Sequence, residues 1–576
     1  MSAVPVEASN RRFTGAGWGQ QEIVLLILMV FVGLLVLGPI LILLRTSFAP
    51  SGTMPLETWR FSLEHYIALA TSSSTWRLVF NTVVYALASM GIGVAIATAN
   101  TWFTERTDMP GRFVVRILMF SWMAVPALVV GFGWILLINP GNGALNVLFR
   151  ELGGSGALFQ LYSFWALTII TSFAVVPTAY VMISGLLRNM DPQLEQAARV
   201  HGANGWTVIR RVTLPLLVPG LFSIGIYMFM AVVQTFDLPL IIGLTARFPV
   251  LSTRVYLLSS PDNGLPNYGF AAAFGVLLLV IASGLMWAYL RATSVGEKFR
   301  VVTGKAFRPR RISLGAWKPA ALAFVFAYCL VMALPLLMLL WVSLHTSYVM
   351  PSMAALSETT LDVYRRVIAN PIFFRAVTNT LILVVASATI VMVASTLIGW
   401  FTTRAGSRAG KILDALSFSP MAIPPIVLVL AIVLIYLRTP VYGSIWVIVI
   451  AHSTIFLAFG VRTMSSALIQ IHKELSDAAL VSGASWLTAM RKVTLPLVWP
   501  QFLNGWLWVF AHSARDLTAP LMLLSTTNVV AASALWNMWQ FPDLPGAAAL
   551  SIMLMGALLV IVVPFQIYTA RRLEQN

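Results

Sequence analysis

Long apolar runs separated by short polar segments define this chain. A helix needs roughly 20 apolar residues to cross a bilayer, and twelve runs approach or exceed that length, the eleventh being the shortest. No small-residue cleavage signal follows the first run, so we expect a permanent helix there rather than a signal peptide. In chain order the runs cover residues 23–44, 78–103, 117–138, 161–187, 216–236, 269–290, 319–344, 381–403, 415–437, 443–461, 497–511 and 547–570.

Lysine and arginine are concentrated in the segments that follow every second run. Because basic segments remain in the cytoplasm, this pattern predicts that these segments and both termini are cytoplasmic. We divide the chain into a cytoplasmic segment at 1–22, a membrane domain at 23–290, a basic linker at 291–318 and a second membrane domain at 319–576. The two membrane domains then contain six predicted helices each.

One polar segment occurs twice, once in each membrane domain. The first copy lies within 191–215 and the second within 472–496, and a constant shift of 281 residues relates Gly202 to Gly483. In each copy two adjacent alanines precede the glycine, and a Thr-Leu-Pro sequence follows it. A chance alanine-rich loop is the plain alternative, but chance does not repeat all of these residues in register.

The residues of this segment predict two short helices joined by a tight turn. Asp191 and Pro192 suit a helix start, and Gly202 suits the left-handed conformation that ends a helix. Asn204, or Ser485 in the second copy, can cap the following helix. The alanine pair leaves a slim face against which another protein can lie.

The repeated segment resembles the EAA loop of ABC-importer permeases, which has Glu-Ala-Ala, a glycine six positions after the glutamate, and then Leu-Pro. The resemblance implies that each copy docks an ATPase subunit, so that one chain serves two such subunits. Gln196 stands where the family has glutamate, so a full salt bridge is not expected there. The implied coupling residues are Glu195, Gln196, Ala197, Ala198, Gly202, Asp477, Ala478, Ala479 and Gly483.

Further pairs relate the two halves at a shift of 298 residues, among them Tyr66 with Tyr364, Thr82 with Thr380, and Pro126 with Pro424. An even number of crossings preserves the orientation of a repeat, so the halves are predicted to be parallel repeats. The predicted fold is an all-α polytopic membrane protein with about twelve transmembrane helices in two six-helix repeats. The resemblance implies the type I ABC-importer permease arrangement.

Composition excludes several classes of protein. The chain is 59% hydrophobic and 10% charged, which excludes an ordinary soluble protein. The net charge of +17 comes from basic residues clustered in the segments expected to be cytoplasmic, so no nucleic-acid partner is expected. The single cysteine, Cys329, allows no internal disulfide and no cysteine metal cluster. No phosphate loop, His-Glu-x-x-His motif or nucleophile elbow occurs. We therefore expect neither an enzyme nor a bound cofactor or metal, and assign ATP hydrolysis to a partner.

Polar and proline residues within the apolar runs are candidates for the translocation path, because ionisable groups at membrane depth commonly carry function. Proline bends a helix and frees a carbonyl, which suits a cavity wall. An ordinary kink, or a marker of the membrane boundary, is the alternative. The candidates are Pro126, Pro424, Gln234, Asp237, Arg515 and Asp516.

Fused permeases of this length resemble the iron(III) importer group, and the stretches at 236–239 and 251–256 carry that likeness. The resemblance implies a bacterial inner-membrane permease that receives its substrate from a periplasmic binding protein, with ferric iron preferred. Thiamine, aminoethylphosphonate and polyamines are alternative substrates. A secondary transporter or channel that needs no ATPase is the alternative of another class, and a membrane enzyme lacks a catalytic cluster.

Overall fold

The computed structural model describes residues 19–57, 59–188, 193–260, 265–298, 312–404, 407–541 and 543–575, which are helical for the most part and contain no strand. The expected helix cap at Asp191 and Pro192 and most of the basic linker lie outside these residues. The first half forms α1 (Gln20–Ser47), α2 (Glu64–Thr71), α3 (Ser73–Arg106), α4 (Arg112–Trp122), α5 (Ala127–Ile138), α6 (Ala144–Glu151), α7 (Phe164–Arg188), α8 (Gln193–Val200), α9 (Gly205–Val208), α10 (Leu214–Val233), α11 (Leu251–Ser259) and α12 (Tyr268–Lys298).

The second half repeats this order, with small differences in the connecting segments. Its helices are α13 (Lys318–Ser343), α14 (Asp362–Ala369), α15 (Pro371–Arg404), α16 (Arg408–Phe418), α17 (Pro425–Tyr436), α18 (Ile445–Ile469), α19 (Lys473–Val481), α20 (Trp486–Ala489), α21 (Leu495–Arg515), α22 (Thr518–Met522), α23 (Ala531–Gln540) and α24 (Leu544–Gln575).

Nine helices in the described ranges are long and apolar enough to cross a membrane. The third and ninth predicted helices are instead broken pairs, with α4 and α5 meeting at 104° and α16 and α17 at 108°. Pro126 and Pro424 are the residues directly before α5 and α17. The prolines therefore stand at complete breaks rather than at bends within continuous helices.

The broken pair α4–α5 still connects the two ends of the neighbouring helix α7. In α4, Arg116 Nη2 lies 2.8 Å from Glu105 Oε2, and the same carboxylate contacts Arg188 at the end of α7, with 3.0 Å between Nη2 and Oε1. After α5, Asn139 Nδ2 donates to the Tyr162 hydroxyl at 3.1 Å, just before α7 begins. The pair thus spans the bundle once, as the prediction of one crossing requires.

The eleventh predicted helix is the one that hydropathy does not support. Helix α21 has 21 residues, about 31 Å at 1.5 Å per residue, which is long enough to cross. It carries Gln501, Asn504, His512 and Arg515, and it is not among the apolar helices counted above. Hydropathy thus gives nine crossings, or eleven with the broken pairs, and the twelfth depends on this polar helix.

Matching hydrogen bonds confirm that the two halves share one design. Leu251 N, at the start of α11, donates to Thr82 Oγ1 at 3.0 Å. Ala531 N, at the start of α23, donates to Thr380 Oγ1 at 2.8 Å. The repeated threonines therefore hold equivalent helices in equivalent places.

The first helix of each half packs on the opposite half. Val32 and Val36 of α1 are fully buried in a core formed mainly by second-half residues. Val325 and Tyr328 of α13 are buried among first-half residues, and the Tyr328 hydroxyl donates to Phe173 O at 3.3 Å. Exchange of these helices interlocks the halves, so that they cannot separate without exposing a core.

Coupling loops and the polar cluster between the halves

Both repeated segments, called the first and second coupling loops after their predicted role, fold as a short coupling helix, α8 or α19, that ends in a left-handed glycine. Gly202 and Gly483 each have φ of +85°, a conformation that glycine adopts without strain. Ala203 N donates to Ala198 O at 3.1 Å, and the matching bond of the second loop has the same length. This bond, from the third residue beyond the helix back to its last turn, is the Schellman closure, and it confirms the predicted turn.

The second short helix of each loop begins at the predicted cap. Asn204 Oδ1 accepts a hydrogen bond from Thr207 N at 2.8 Å, and Ser485 Oγ accepts one from Thr488 N at 3.3 Å. A five-residue π-helix then joins each short helix to the long helix α10 or α21. The π-helices are Ile209–Thr213 and Met490–Thr494.

The repeated motif presents the same face in both loops. The first two motif residues are exposed, and the second alanine is partly buried. Neither glycine has another atom within 4 Å of where a Cβ would lie, so the turns also stand clear of the rest of the chain. The residues of this uncovered face are Gln196, Ala197 and Ala198 in the first loop, and Asp477, Ala478 and Ala479 in the second.

Glu195 does not belong to this exposed face, so its predicted place on the coupling surface is corrected. Its side chain is buried, and its Oε2 lies 3.5 Å from Nη1 of the fully buried Arg106. Thr213 Oγ1 donates to Glu195 Oε1 at 2.9 Å, and Arg106 also donates to Leu187 O at 3.3 Å. Glu195 therefore attaches the first coupling helix to α3, α7 and the start of α10.

The second loop lacks this ion pair although its arginine is retained. Ser476 occupies the position of Glu195, and Arg404 occupies that of Arg106. Arg404 Nη2 donates to two backbone carbonyls, Leu468 O at 2.9 Å and Ile471 O at 2.6 Å. The shared function of the arginines is thus to bind the carbonyl end of α7 or α18, and only the first also binds a carboxylate.

Aromatic packing takes the place of charge in the second loop. Trp486, which begins α20, is buried, and its ring lies 5.1 Å from that of Trp400 and 5.7 Å from that of Phe401. Glycine stands at the matching position 205 of the first loop, so that position has no ring to make this contact. The two loops therefore have the same backbone but different attachments.

The end of the basic linker binds beside Arg106. Ile312 N donates to Arg106 O at 2.8 Å, and Leu314 N donates to Asp108 Oδ1 at 3.0 Å. Lys318 Nζ lies 2.8 Å from Asp108 Oδ2, and this hydrogen bond lowers the pKa of the Asp108 carboxyl. The last residues of the linker are thus part of the surroundings of the first coupling loop.

The charged path candidates of the two halves meet in one partly buried cluster. Asp237 of the first half interacts electrostatically with Arg515 and Asp516 of the second. Asp516 Oδ2 lies 3.1 Å from Nε2 of His452, which is fully buried in α18. Arg515 Nη1 donates to the Met123 carbonyl at the break between α4 and α5. This polar cluster joins the two halves.

One amide and one carboxylate among the path candidates keep unused hydrogen-bonding capacity. Within the described ranges, Gln234 Nε2 and Asp237 Oδ1 are buried without a hydrogen-bond partner. Pro126 stands at the break that follows Met123, and Pro424 stands directly before α17 in the equivalent place. Asp237, Arg515 and Asp516 are thus brought together beside the break at Pro126, whereas Gln234 and Pro424 take part in none of these contacts.

A cavity of about 360 Å³ lies between the halves beside this cluster. Trp508 lines the cavity and stacks on two neighbouring rings. Its ring centroid lies 3.6 Å from that of Phe459 and 3.7 Å from that of His512. In the part of the chain that the structure describes, no group of three or more His, Cys, Asp or Glu side chains is placed to hold a metal ion. The first half lines the cavity through Phe120, Met123, Ala124 and Val181.

Residues 89–292 and 395–574 match the family described as the binding-protein-dependent transport system inner membrane component. The two matches cover most of the chain and fall one in each half, so the chain belongs to this family. It is a membrane permease subunit rather than an enzyme. Family membership favours a binding-protein-dependent importer over a secondary transporter or channel.

Several relatives match over most of their length. The ferric transport system permease protein FbpB of Actinobacillus pleuropneumoniae is 23% identical over 517 residues, which is 89% of this chain and 72% of that protein. The Fe(3+)-transport system permease protein FbpB 2 of Haemophilus influenzae is 21% identical, over 83% of this chain and 87% of that protein. A chain of a solved bacterial ABC transporter that imports the acidic polysaccharide alginate also matches. The match covers 48% of this chain and 94% of that chain, at 18% identity and a TM-score of 0.40.

Proposed function

We propose that this chain supplies both membrane domains of an ABC importer for ferric iron. Two copies of an ATPase subunit dock on the exposed faces at Gln196 and Asp477. A periplasmic binding protein delivers the substrate at the opposite end of the bundle. The ATPase subunits bind and hydrolyse ATP, and this chain itself holds no cofactor. The pair of uncovered helix-turn faces, one per half, is the observation that carries the docking part of the proposal.

The structure suggests how ATPase movement would reach the path. Each coupling helix leads through the glycine turn, a second short helix and a π-helix into α10 or α21, and α21 ends at Arg515. Arg515 contacts the Met123 carbonyl of the other half. Closure of the ATPase pair would displace both coupling helices, rock the halves and thereby separate the polar cluster. The interlocked first helices would keep the halves together during this movement.

Ferric iron as the substrate rests on the full-length likeness to the two ferric permeases. One relative that matches only about half of this chain is named for another substrate: the trehalose/maltose transport system permease protein MalF of Thermococcus litoralis, 25% identical over 46% of this chain. Since no side-chain cage for a metal is present in the described residues, iron selection would fall to the binding protein. The path would then need only to pass a cation without holding it.

The test is transport by the reconstituted complex. The chain, its ATPase and its binding protein are placed in liposomes, and uptake of labelled ferric ion is measured with and without internal ATP. We expect ATP-dependent iron uptake that stops when the binding protein is omitted. Uptake of thiamine, aminoethylphosphonate or a polyamine instead of iron would keep the permease role and reject the substrate.

Orientation is tested separately, in whole cells. On a Cys329→Ala background, Leu480→Cys places a thiol beside the second coupling face, and Leu152→Cys places one in the exposed segment after α6 at the other end of the bundle. A membrane-impermeant thiol reagent should label position 152 in intact cells and position 480 only after lysis. Labelling of position 480 in intact cells would reverse the proposed topology.

A further inference from the structure

An open groove lies on the second half between α15 and α21, apart from the path and from the coupling face. Its volume is about 540 Å³. Trp499 and Leu503 on its rim are 46% and 40% exposed, so the groove faces outwards from the bundle. Its walls also include Val393 and Leu397 of α15, Phe502 and Trp506 of α21, and Met490 and Leu495 beside the second coupling loop.

The lining of the groove is mainly hydrocarbon. Three of its polar side chains are engaged within the protein: Trp506 Nε1 donates to Thr389 Oγ1 at 3.1 Å, and Thr396 Oγ1 donates to Met392 O at 2.7 Å. Trp499 on the rim stacks with Phe502, with centroids 5.2 Å apart. Since the walls are apolar apart from these engaged groups and the indole N–H of Trp499, the ligand that fits the groove is an apolar chain.

Two cations stand at the coupling-loop end of this groove. Arg491 and Lys492 follow Met490 directly, and both are exposed. In the part of the chain that the structure describes, no ion pair engages either of them. From Leu495 to Trp506 the groove wall rises about 16 Å, close to the roughly 15 Å that one leaflet contributes to the hydrocarbon core. The groove therefore matches one acyl chain, with positive charge where a headgroup would lie.

We propose that the groove binds an anionic phospholipid, with an acyl chain between α15 and α21 and the phosphate at Arg491 and Lys492. Basic pockets between membrane helices recognise anionic headgroups in this manner. Met490 and Leu495 bound the π-helix that follows the second coupling helix. The bound lipid thus stabilises the loop that lacks a counterpart of the Arg106–Glu195 ion pair.

The first half provides an internal control. Arg210 and Arg211 match the two cations, but Gly91, Ala95 and Gly225 stand where the groove has Thr389, Val393 and Trp506. The first half therefore has the charge without the tryptophan and branched side chains that wall the groove. Lipid binding should depend on the basic pair of the second half alone.

The experiment measures phosphatidylglycerol retained by the purified complex of this chain with its ATPase, by native mass spectrometry against phosphatidylcholine. Arg491→Gln with Lys492→Gln should weaken phosphatidylglycerol binding about 25-fold, since each basic residue at a membrane surface contributes about fivefold. The matched variant Arg210→Gln with Arg211→Gln should retain the lipid. Val393→Trp, which fills the groove and leaves both cations, should also release it.

Three results would overturn the proposal. These are equal phosphatidylglycerol binding by the wild type and the Arg491/Lys492 variant, equal loss from the Arg210/Arg211 variant, or full binding in Val393→Trp. If the Arg491/Lys492 variant keeps its lipid but loses the ATPase, the cations contact that subunit and the lipid site is wrong. Iron uptake is not used in this test, so its outcome is independent of the proposed substrate.

Discussion

The two coupling loops share a backbone and differ in how each is fixed to the membrane domain. In the first, Arg106 binds both the end of α7 and the buried carboxylate of Glu195. In the second, Arg404 binds only backbone carbonyls, and Trp486 packs on two aromatic rings. One loop is therefore held by a buried ion pair and the other by packing and hydrogen bonds.

One repeated motif is thus attached to the membrane domain in two different ways. An ion pair in a buried site is sensitive to the loss of either partner, because the remaining charge is left desolvated. Aromatic packing involves no ion pair, so the loss of one ring leaves no charge desolvated. The neighbouring Glu105 adds to the contrast, since it binds Arg116 and Arg188 in the first half, while Thr403 stands in its place in the second.

The largest expected effect comes from removing the two matched arginines. Arg106→Ala leaves Glu195 buried and unpaired and should destabilise the protein by about 3–5 kcal/mol. Arg404→Ala loses hydrogen bonds to two carbonyls and should cost about 1–3 kcal/mol. Thermal denaturation of the purified chain compares the two.

A double variant separates the cost of leaving a buried charge unpaired from the cost of changing the side-chain shape. Arg106→Met with Glu195→Leu removes both charges and should recover most of the stability lost in Arg106→Ala. Equal destabilisation by Arg106→Ala and Arg404→Ala, or no recovery in the double variant, would show that the ion pair does not distinguish the loops.

The next largest effect is the cost of substituting the turn glycines, and it should be the same in both loops. Gly202→Ala and Gly483→Ala each force a side chain into the left-handed region, at about 1–2 kcal/mol, and no neighbour adds crowding. Gly202→Asp and Gly483→Asp add charge on the exposed face, so transport and substrate-stimulated ATPase activity should fall sharply while insertion stays normal. Uptake assays and membrane yields measure these two quantities.

Gly185→Ala is the matched control, because Gly185 lies within α7, also without a neighbour within 4 Å of the added Cβ. It should be neutral or slightly stabilising. Normal transport in both aspartate variants would remove the glycine turns from the coupling mechanism.

A smaller effect should appear at the position where the exposed faces differ. Asp477 carries a charge that can accept a charge-assisted hydrogen bond from an ATPase cation, and such bonds are about twice as strong as neutral ones. Asp477→Asn should weaken ATPase association by about 1–3 kcal/mol if the contact is desolvated, and more than Gln196→Ala does. The yield of co-purified ATPase at several salt concentrations is the measurement.

Gln196→Glu is the converse variant and should be tolerated or should strengthen association. A loss from Asp477→Asn that does not depend on salt, or equal losses from both loops, would contradict unequal docking.

The smallest expected effect is at the helix caps. Asn204→Ala and Ser485→Ala each remove one side-chain acceptor from a short helix and should cost about 1 kcal/mol. Because both caps are exposed and equivalent, the two losses should agree, as thermal denaturation of the single variants would show. A cap effect confined to one loop would mean that the loops differ in backbone as well as in attachment.

Much of the structure of each coupling loop could be predicted from the local sequence. The turn at Gly202, the cap at Asn204 and the exposed motif residues depend on neighbours within a few positions, and local patterns report such contacts well. Glu195 could not be placed in this way. On a helix it is adjacent to Gln196, and only the position of Arg106, 89 residues earlier, decides that its side chain is internal.

The sequence by itself determined the apolar runs, the repeat and the family, because these depend on composition and spacing. Only the tertiary structure decided that α1 and α13 exchange halves, that the helices break completely at Pro126 and Pro424, and that Arg515 contacts Met123, 392 residues away. The physical reason is that an apolar helix can bury its surface against many partners of similar chemistry. Which partner it contacts follows from packing of the whole bundle and not from its own sequence.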